Sequence, residues 1–460
     1  MANTRGLIPW LWEWLGGSSP WVDPDFDDPW SEDFAARPRC PGDCSVPFRN
    51  EAELAEIRRH CRGLALENEF AVNGHENRIS YVVGTGHRYR VVPRTLRTAG
   101  EAKEGARTGW ADAAQEVLDE FLEENRWHRR QQEILRRYDR DGEVFLRFFA
   151  EPSGRLQVRF VEPEEVACPT RRRDDPAASF GVQTDPGDVE RVLGYWIGGR
   201  WADAEAVQHR KANVDCNIKR GLPLFYPVRK NLRRAEKLLR NMSVVAGVQS
   251  AVALIRKHSR ASKAAVERFA AETADDAPRL PGAVPRLVFA PGTVLDAAAG
   301  TEYEFPASAI DAARYVTLLQ AELRAIASRL VMPEFMLTSD ASNANYASTL
   351  VAEGPAVRMF QRLQQEMIED DLRIMRRVLL AAAQAGRLPE DVLRWLAVEA
   401  VPPPLAVRDR LKEAQADAVL FRCGAMSRAT LALRHGLDPR RETPPRDEDA
   451  ESGRDADASG

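Results

Sequence analysis

"KRGLPLFYPV", residues 219–228, separates two kinds of sequence, and the fold class follows from what lies on either side. Upstream, helical stretches mix with segments that alternate apolar and polar residues. Downstream, long helical stretches dominate. The nearest informative segment upstream is a hairpin. "GEVFLRFFA" (142–150) and "RLQVRFVEP" (155–163) flank the turn Glu151-Pro152-Ser153-Gly154. Leu156, Val158 and Phe160 alternate with Gln157 and Arg159, the period of a strand with one buried face. A further strand is expected at "RVLGYWI", 191–197.

Nearer the N-terminus, Leu54, Ile57, Cys61, Leu64 and Leu66 fall close to one helical face, and Ala114, Val117, Leu118, Phe121 and Leu122 recur at i, i+3, i+4 spacing. Between them, "NRISYVVGTGHRYRVV" (77–92) reads as a strand broken at the tight turn Gly84-Thr85-Gly86. Residues 1–50 show neither period. Rich in Trp, Pro, Asp and Gly, they are expected to form an extended arm, with Trp10, Trp12, Trp14, Trp21 and Trp30 packing on the chain's own body or on a partner.

Downstream, a long helix is expected over residues 226–258, carrying Leu232, Leu238, Leu239, Met242 and Val252. Its second half is studded with small residues. Val245, Ala246, Gly247, Ser250 and Ala253 suit a place where helices approach closely, within one subunit or between neighbours. A mixed stretch, 259–305, holds strand-like "PRLVFAPG" and "TEYEF". An Ala-rich helix from about Ala307 to Leu330 stops before Pro333, and "SDASNANYASTLVAEG" (339–354) follows as a polar loop containing Ser339, Asp340, Ser342, Asn343, Asn345 and Tyr346. A third helix is expected from about Gly354, with Phe360, Leu363, Met367, Leu372, Met375 and Leu379 along roughly 40 Å at 1.5 Å per residue. "VPPPLAVRD" links it to a smaller helical segment, and the last 20 residues have no apolar content to bury. The fold class is α+β.

A chain of 460 residues has room for more than one domain. With 44% hydrophobic and 29% charged residues it reads as an ordinary soluble globular protein. Its formal charge of −4 argues against a protein that grips nucleic acid tightly, which shows as a strongly basic domain. The six cysteines, Cys40, Cys44, Cys61, Cys168, Cys216 and Cys423, are too few and too irregular for a disulfide framework, so a reducing compartment is expected. The N-terminal apolar run carries Glu13 and makes a poor signal peptide. "VVAGVQSAVALI" is far short of the roughly 20 residues of a membrane span.

Catalytic signatures are missing: there is no Walker A loop, GxSxG, HExxH or EF-hand pattern. Gly84-Thr85-Gly86 lacks the remaining glycine of a nucleotide loop, and a turn explains it. Cys40, Cys44, His60 and Cys61 have the ligand types for zinc. Adjacent His60 and Cys61 on a helix point about 100° apart, however, and Cys61 lies on the apolar face. Paired carboxylates such as Glu164-Glu165 and Asp370-Asp371 read as solvated faces. No enzyme, metal or cofactor is expected.

Five stretches, in order, resemble the portal proteins of tailed bacteriophages, in particular the lambda-type branch. They are "RGLALENEFAVNGHENRISYVVGTG", a polar helix and VVG-G turn; "YDRDGEVFLRFF", a DGE-F strand; "KRGLPLFYPV", an Arg-Gly-apolar-Pro step into a long helix; "MPEFMLTSDASNANYAST"; and "GAMSRATLALRHGLDP". In the fourth, Ala347 precedes Ser348, so its Asn-Tyr-Ser spacing departs slightly from the family's. Together they span about residues 55–440.

The resemblance implies a portal-type subunit with an α/β wing, two long stem helices, a small mixed clip and a helical crown. The expected divisions are an arm (1–50), wing (51–225), first stem helix (226–258), clip (259–306), second stem helix (307–332), tunnel loop (333–353), a helix returning to the wing (354–401), crown (402–440) and an acidic tail expected to be disordered (441–460). It also implies a ring of twelve copies at one capsid vertex of the virion, assembled in the host cytoplasm. Double-stranded DNA would pass through its channel, and its partners would be the terminase motor, the capsid or scaffold protein and head–tail connectors, with no membrane. The tunnel loop would carry Ser339, Asp340, Ser342, Asn343, Asn345 and Tyr346. A loop that lets a polyanion slide should offer weak contacts rather than phosphate-gripping Arg and Lys. The plainer alternative is a simple helix connection with Asp340 as N-cap. Two other functions stay open: a zinc-dependent nuclease using Cys40, Cys44 and His60, and a non-portal ring-forming head connector.

Overall fold

The structure is a computed structural model that describes residues 46–94, 104–257, 264, 293–297, 312–340, 346–405, 410–435 and 437. The arm with its tryptophans, the strand-like segments "PRLVFAPG" and "TEYEF", and the acidic tail lie outside these residues. The chain forms two compact units. One comprises residues 1–62, 136–152 and 156–226, the other residues 63–135, 153–155 and 227–460.

The first unit is built on two small antiparallel sheets. The expected hairpin pairs Glu143–Ala150 with Leu156–Val161, and Val207–Lys211 adds to the other edge of Glu143–Ala150. The second sheet has the order Val182–Asp185, Asp188–Ile197, Arg200–Asp203, and includes the strand expected at 191–197. Strand alternation turns Phe145, Val161, Tyr195, Ile197, Ala202 and Val207 inward, where they form one apolar cluster with Val166 and Val182. A second cluster gathers Phe48, Leu54 and Leu222, so residue 48 is already part of this core.

In the second unit, "NRISYVVGTG" is not a strand. Residues Glu69–Val82 form a helix capped by Asn68, whose Oδ1 accepts from the N–H of Phe70 and Ala71. Ala71, Gly74, His75, Arg78, Ile79 and Val82 are buried on one face, a 3.6-residue stripe that outweighs the β-branched pair Val82-Val83. Gly84-Thr85-Gly86 ends this helix rather than turning a hairpin: the Gly84 N–H donates to the Ile79 carbonyl five residues back. Only Arg88–Pro93 is extended, and it pairs antiparallel with Leu396–Val401. Helices Glu104–Glu124 and Trp127–Asp141 follow that strand; the latter begins in this unit and went unrecognised in the sequence.

Tyr89 organises the buried polar interior of this unit. Its hydroxyl donates to Asp371 Oδ2 at 2.5 Å and accepts from Gln131 Nε2 at 2.8 Å, while Gln131 also donates to Asp371 Oδ2 at 2.9 Å. Gln115 bonds the same strand through the Val91 N–H and the Tyr89 carbonyl.

The first long helix spans Arg229–Ala251 and stops short of the expected residue 258. Val252–Lys257 is instead a strand, paired in parallel with Thr293–Ala297. Val252 and Ile255 in this run are β-branched and suited to a strand. The second long helix is described over Ala312–Leu330, and the two pack together; Leu232 and Ala235 on the first and Leu323 and Ile326 on the second are buried. Asn231 Nδ2 and Arg234 Nη1 both bond Glu322 across this contact, at 2.7 and 3.3 Å.

The third long helix begins eight residues before Gly354. It covers Tyr346–Gln384, about 58 Å of rise, with Pro355 inside it. Ala356, Met359, Phe360 and Leu363, just after that proline, are buried, which explains why the sequence pattern is readable from there. Two short helices, Arg410–Arg422 and Arg428–Arg434, complete the described chain. Among the described residues no helix is long and apolar enough to cross a membrane.

Candidate functional site

Two of the short motifs that carry the family resemblance meet in the first unit. Glu143, of the Asp-Gly-Glu strand start, is fully buried, and Arg220, of "KRGLPLF", reaches it. Arg220 Nε lies 2.8 Å from Oε1 and Nη2 lies 2.7 Å from the same oxygen. The Gly221 N–H donates to Oε2 at 3.0 Å, His209 Nε2 sits 2.9 Å from Oε2, and Arg58 Nη2 pairs with Oε1. Arg220 also donates to the carbonyls of Val166, Phe180 and Pro163, each at 2.8 Å.

Burial alone would push the Glu143 carboxyl up, but Arg220, Arg58 and the His209 hydrogen bond hold it well below its ordinary 4.5. Burial pushes Arg58 down to about 10, against the pull of Glu143, so it stays charged at neutral pH. Burial also lowers His209 below 6.5, opposed by Glu143. Burial, with a smaller repulsion from Arg220, disfavours a charge on the ring, and facing a carboxylate it donates from Nε2. Closed to solvent, Glu143 ties together strands and loops of the first unit.

The candidate loop is shorter than 333–353. Pro333 opens a five-residue helix, Glu334–Thr338, and Ser339 follows in the left-handed region at φ 58°. Ser339 and Asp340 are exposed. Ser342, Asn343 and Asn345 lie outside the described residues, and Tyr346 is the first residue of the long helix rather than part of a loop. Asp340 is therefore not the N-cap of the following helix. Its N–H bonds Thr338 Oγ1 at 3.3 Å, tying it to the preceding short helix.

Of the small residues singled out for close packing, Val245, Ala246, Gly247 and Ser250 are in helix Arg229–Ala251, and Ala253 is beyond it in the strand. Val245 is half-buried, while Ala246 and Gly247 are exposed and a Cβ on Gly247 would meet nothing within 4 Å. Cys61 is buried. Cys40 and Cys44 lie outside the described residues, among which no group of three or more His, Cys, Asp or Glu could hold a metal.

The sequence reading missed Asn73, Gly74 and Asn77 on helix Glu69–Val82. Asn73 Nδ2 donates to the carbonyls of Leu337 at 2.6 Å and Met336 at 3.1 Å, and Asn77 Nδ2 to Met336 at 2.8 Å. Their i, i+4 spacing was the available signal, since it puts two amides on one side of a helix.

Comparison with solved structures finds weakly similar chains. The neck of a native GTA particle computed with C12 symmetry is 17% identical, covering 86% of this chain and 96% of that one at a TM-score of 0.39. The neck of an empty GTA particle computed with C6 symmetry is 18% identical, covering 86% and 96% at 0.41. An HK97-family phage portal protein from Corynebacterium diphtheriae is 13% identical, covering 77% and 95% at 0.28. No curated protein matches. A family described as phage portal protein, lambda family, matches residues 45–364. That stretch takes in the Glu143–Arg220 cluster, both paired helices and the linker after them, and the chain belongs to the lambda family of phage portal proteins.

Proposed function

We propose that this chain is one subunit of a twelve-membered portal ring at a capsid vertex, a conduit for double-stranded DNA during packaging and ejection. The observation that carries the reading, beyond family membership, is the helix pair Arg229–Ala251 and Ala312–Leu330. It buries one side within its own subunit yet leaves Val244, Val316 and Leu318 exposed, Val244 by 58%. Exposed apolar side chains along paired helices, beside open space at Gly247, suit packing against neighbouring copies in a ring.

In this reading the two helices are the stem, the residues between them the clip, the first unit and the strand-linked helices the wing, and Arg410–Arg434 part of the crown. The linker around Ser339 and Asp340, continuing through Ser342, Asn343 and Asn345, faces the channel. Neutral or acidic side chains there leave DNA free to slide, because no cation is offered for counterion release. The ring itself performs no catalysis. A terminase motor docks on it for packaging, and connector proteins dock later.

Native mass and negative-stain imaging test the proposal. Rings near 618 kDa, twelve copies of the 51.5 kDa chain, with a central hole, are expected. A stable dimer with bound zinc would overturn it.

A further inference from the structure

We propose that Asn73 and Asn77 are positioning residues: their side-chain amides latch the five-residue helix Glu334–Thr338 and so fix where the chain leaves for the linker. Five residues cannot sustain a helix alone, because nucleation is unfavourable and each added hydrogen bond brings little. The last carbonyls of any helix also lack partners within it. Here Met336 and Leu337 expose two such carbonyls, and the amides of Asn73 and Asn77 satisfy them from another helix.

Packing reinforces the latch. Leu337 and Leu330 are both buried, and both lie against Gly74, where a Cβ would overlap Leu330 Cδ1 and come 3.3 Å from Leu337 Cδ1. The missing side chain at Gly74 lets helix Glu69–Val82 approach closely enough for the flanking amides to reach. Asn68, at the start of the same helix, donates from Nδ2 to the Leu232 carbonyl at 3.2 Å. One helix thus grips the first long helix at its start, the second at its end, and the short helix after it.

What is gripped has a left-handed residue at each end. Val331 is at φ 55° and Ser339 at φ 58°. Val331 closes helix Ala312–Leu330 in a Schellman turn, with Met332 N–H bonded to the Ala327 carbonyl and Val331 N–H to that of Ser328. A β-branched residue seldom adopts that conformation and persists in it where its surroundings over-determine the backbone. The latch supplies that over-determination. The proposal rests on the channel reading only for what the linker does, not for how it is held.

Hydrogen exchange on the full chain, comparing wild type with the N73A/N77A double variant, is the test. Amides of residues 335–340 should exchange at least about tenfold faster in the variant, with those of Phe360–Val378 unchanged. Unchanged exchange at 335–340 would overturn the proposal, as would an equal rise throughout the second unit, since that marks a merely structural role. A second variant adds V331G to N73A/N77A. It relieves the backbone without replacing the amides, so protection at 335–340 should stay low; its recovery would overturn the latch. Because exchange is read whether or not copies assemble, failure to form rings would sink the ring and leave this proposal standing.

Discussion

Arg220 and Glu143, 77 residues apart in sequence, form a forked ion pair closed to solvent, with the remaining guanidinium hydrogens spent on three backbone carbonyls. Removing one partner of such a pair strands the other as a buried charge. Glu143→Gln is expected to cost the first unit about 3–5 kcal/mol, because Arg58 and Arg220 lose their common counter-charge. Arg220→Lys keeps the charge but not the fork and should fall between the variant and wild type. Urea unfolding read by hydrogen exchange in Glu143–Ala150 measures both; a loss under about 1 kcal/mol for Glu143→Gln would show that the cluster does not hold the unit.

The same cluster should make this unit acid-sensitive. His209 and Glu143 both have folded values below their ordinary 6.5 and 4.5, so over the intervening range the unfolded chain binds more protons and stability rises with pH. His209's contribution is complete above about 6.5 and fades as pH falls toward its folded value; Glu143's is complete above about 4.5 and fades below. His209→Gln should flatten the dependence between pH 7 and 5.5 while leaving the drop at lower pH. Urea midpoints at four pH values give the slope, and an unchanged slope would rule His209 out.

Gly142 and Gly221 touch backbone to backbone. A Cβ on Gly221 would overlap the Gly142 carbonyl oxygen, and one on Gly142, at φ 79°, would overlap the backbone of Leu222 and Pro223. Neither obstacle is a side chain that can swing aside. Gly221→Ala is expected to unfold the first unit outright, whereas Gly247→Ala, with open space around it, should stabilise its helix by about 1 kcal/mol. Circular dichroism melts of the two variants should move in opposite directions.

Val331→Gly is expected to stabilise the protein by about 1 kcal/mol, the opposite of what glycine does in most places. Val331 is 39% exposed, so little burial is lost, while left-handed backbone costs an L-residue roughly 1–2 kcal/mol that glycine avoids. A lowered denaturant midpoint would show that this valine is held by packing instead.

Tyr89→Phe removes the hydroxyl that donates to buried Asp371 and accepts from Gln131. About 1–3 kcal/mol of destabilisation is expected, since the carboxylate keeps Gln131 but loses its nearest donor. The loss should show as faster exchange in Arg88–Val92. A neutral result would mean that other groups satisfy Asp371.

Legibility in the sequence followed the range of each interaction. The hairpin at 142–163 was readable because alternation and its turn are local. So was the long stripe from Phe360 to Leu379. The strand expected at 77–83 was misread because Ile79, Val82 and Val83 suit either element, and burial against distant helices decided it. Strand Leu396–Val401 was invisible for the same reason, since its partner lies some 300 residues earlier. The linker was recognised by composition, but its right edge was put at Gly354, just before the buried run from Ala356, rather than at Tyr346, where the backbone turns helical. The two motifs around Glu143 and Arg220 were read only as family marks. That they bind each other depends on a contact no spacing rule reports.

The pairing of Arg88–Pro93 with Leu396–Val401 has a consequence for how the chain is made. The first unit has all its residues once Tyr226 has emerged from the ribosome, but the second cannot close its strand pair until residue 401 does. That is about 175 residues later, on the order of ten to thirty seconds at 5–20 residues per second. Throughout that interval Arg88–Pro93 has an unpaired edge, and the faces that bury Tyr89, Ile79 and Val82 against later helices have nothing to bury against. Synthesis is therefore expected to pass through a half-finished state, with one unit complete and the other still lacking its closing strand. Truncations anywhere between residues 226 and 401 should trap it as an aggregating species rather than as a smaller stable protein.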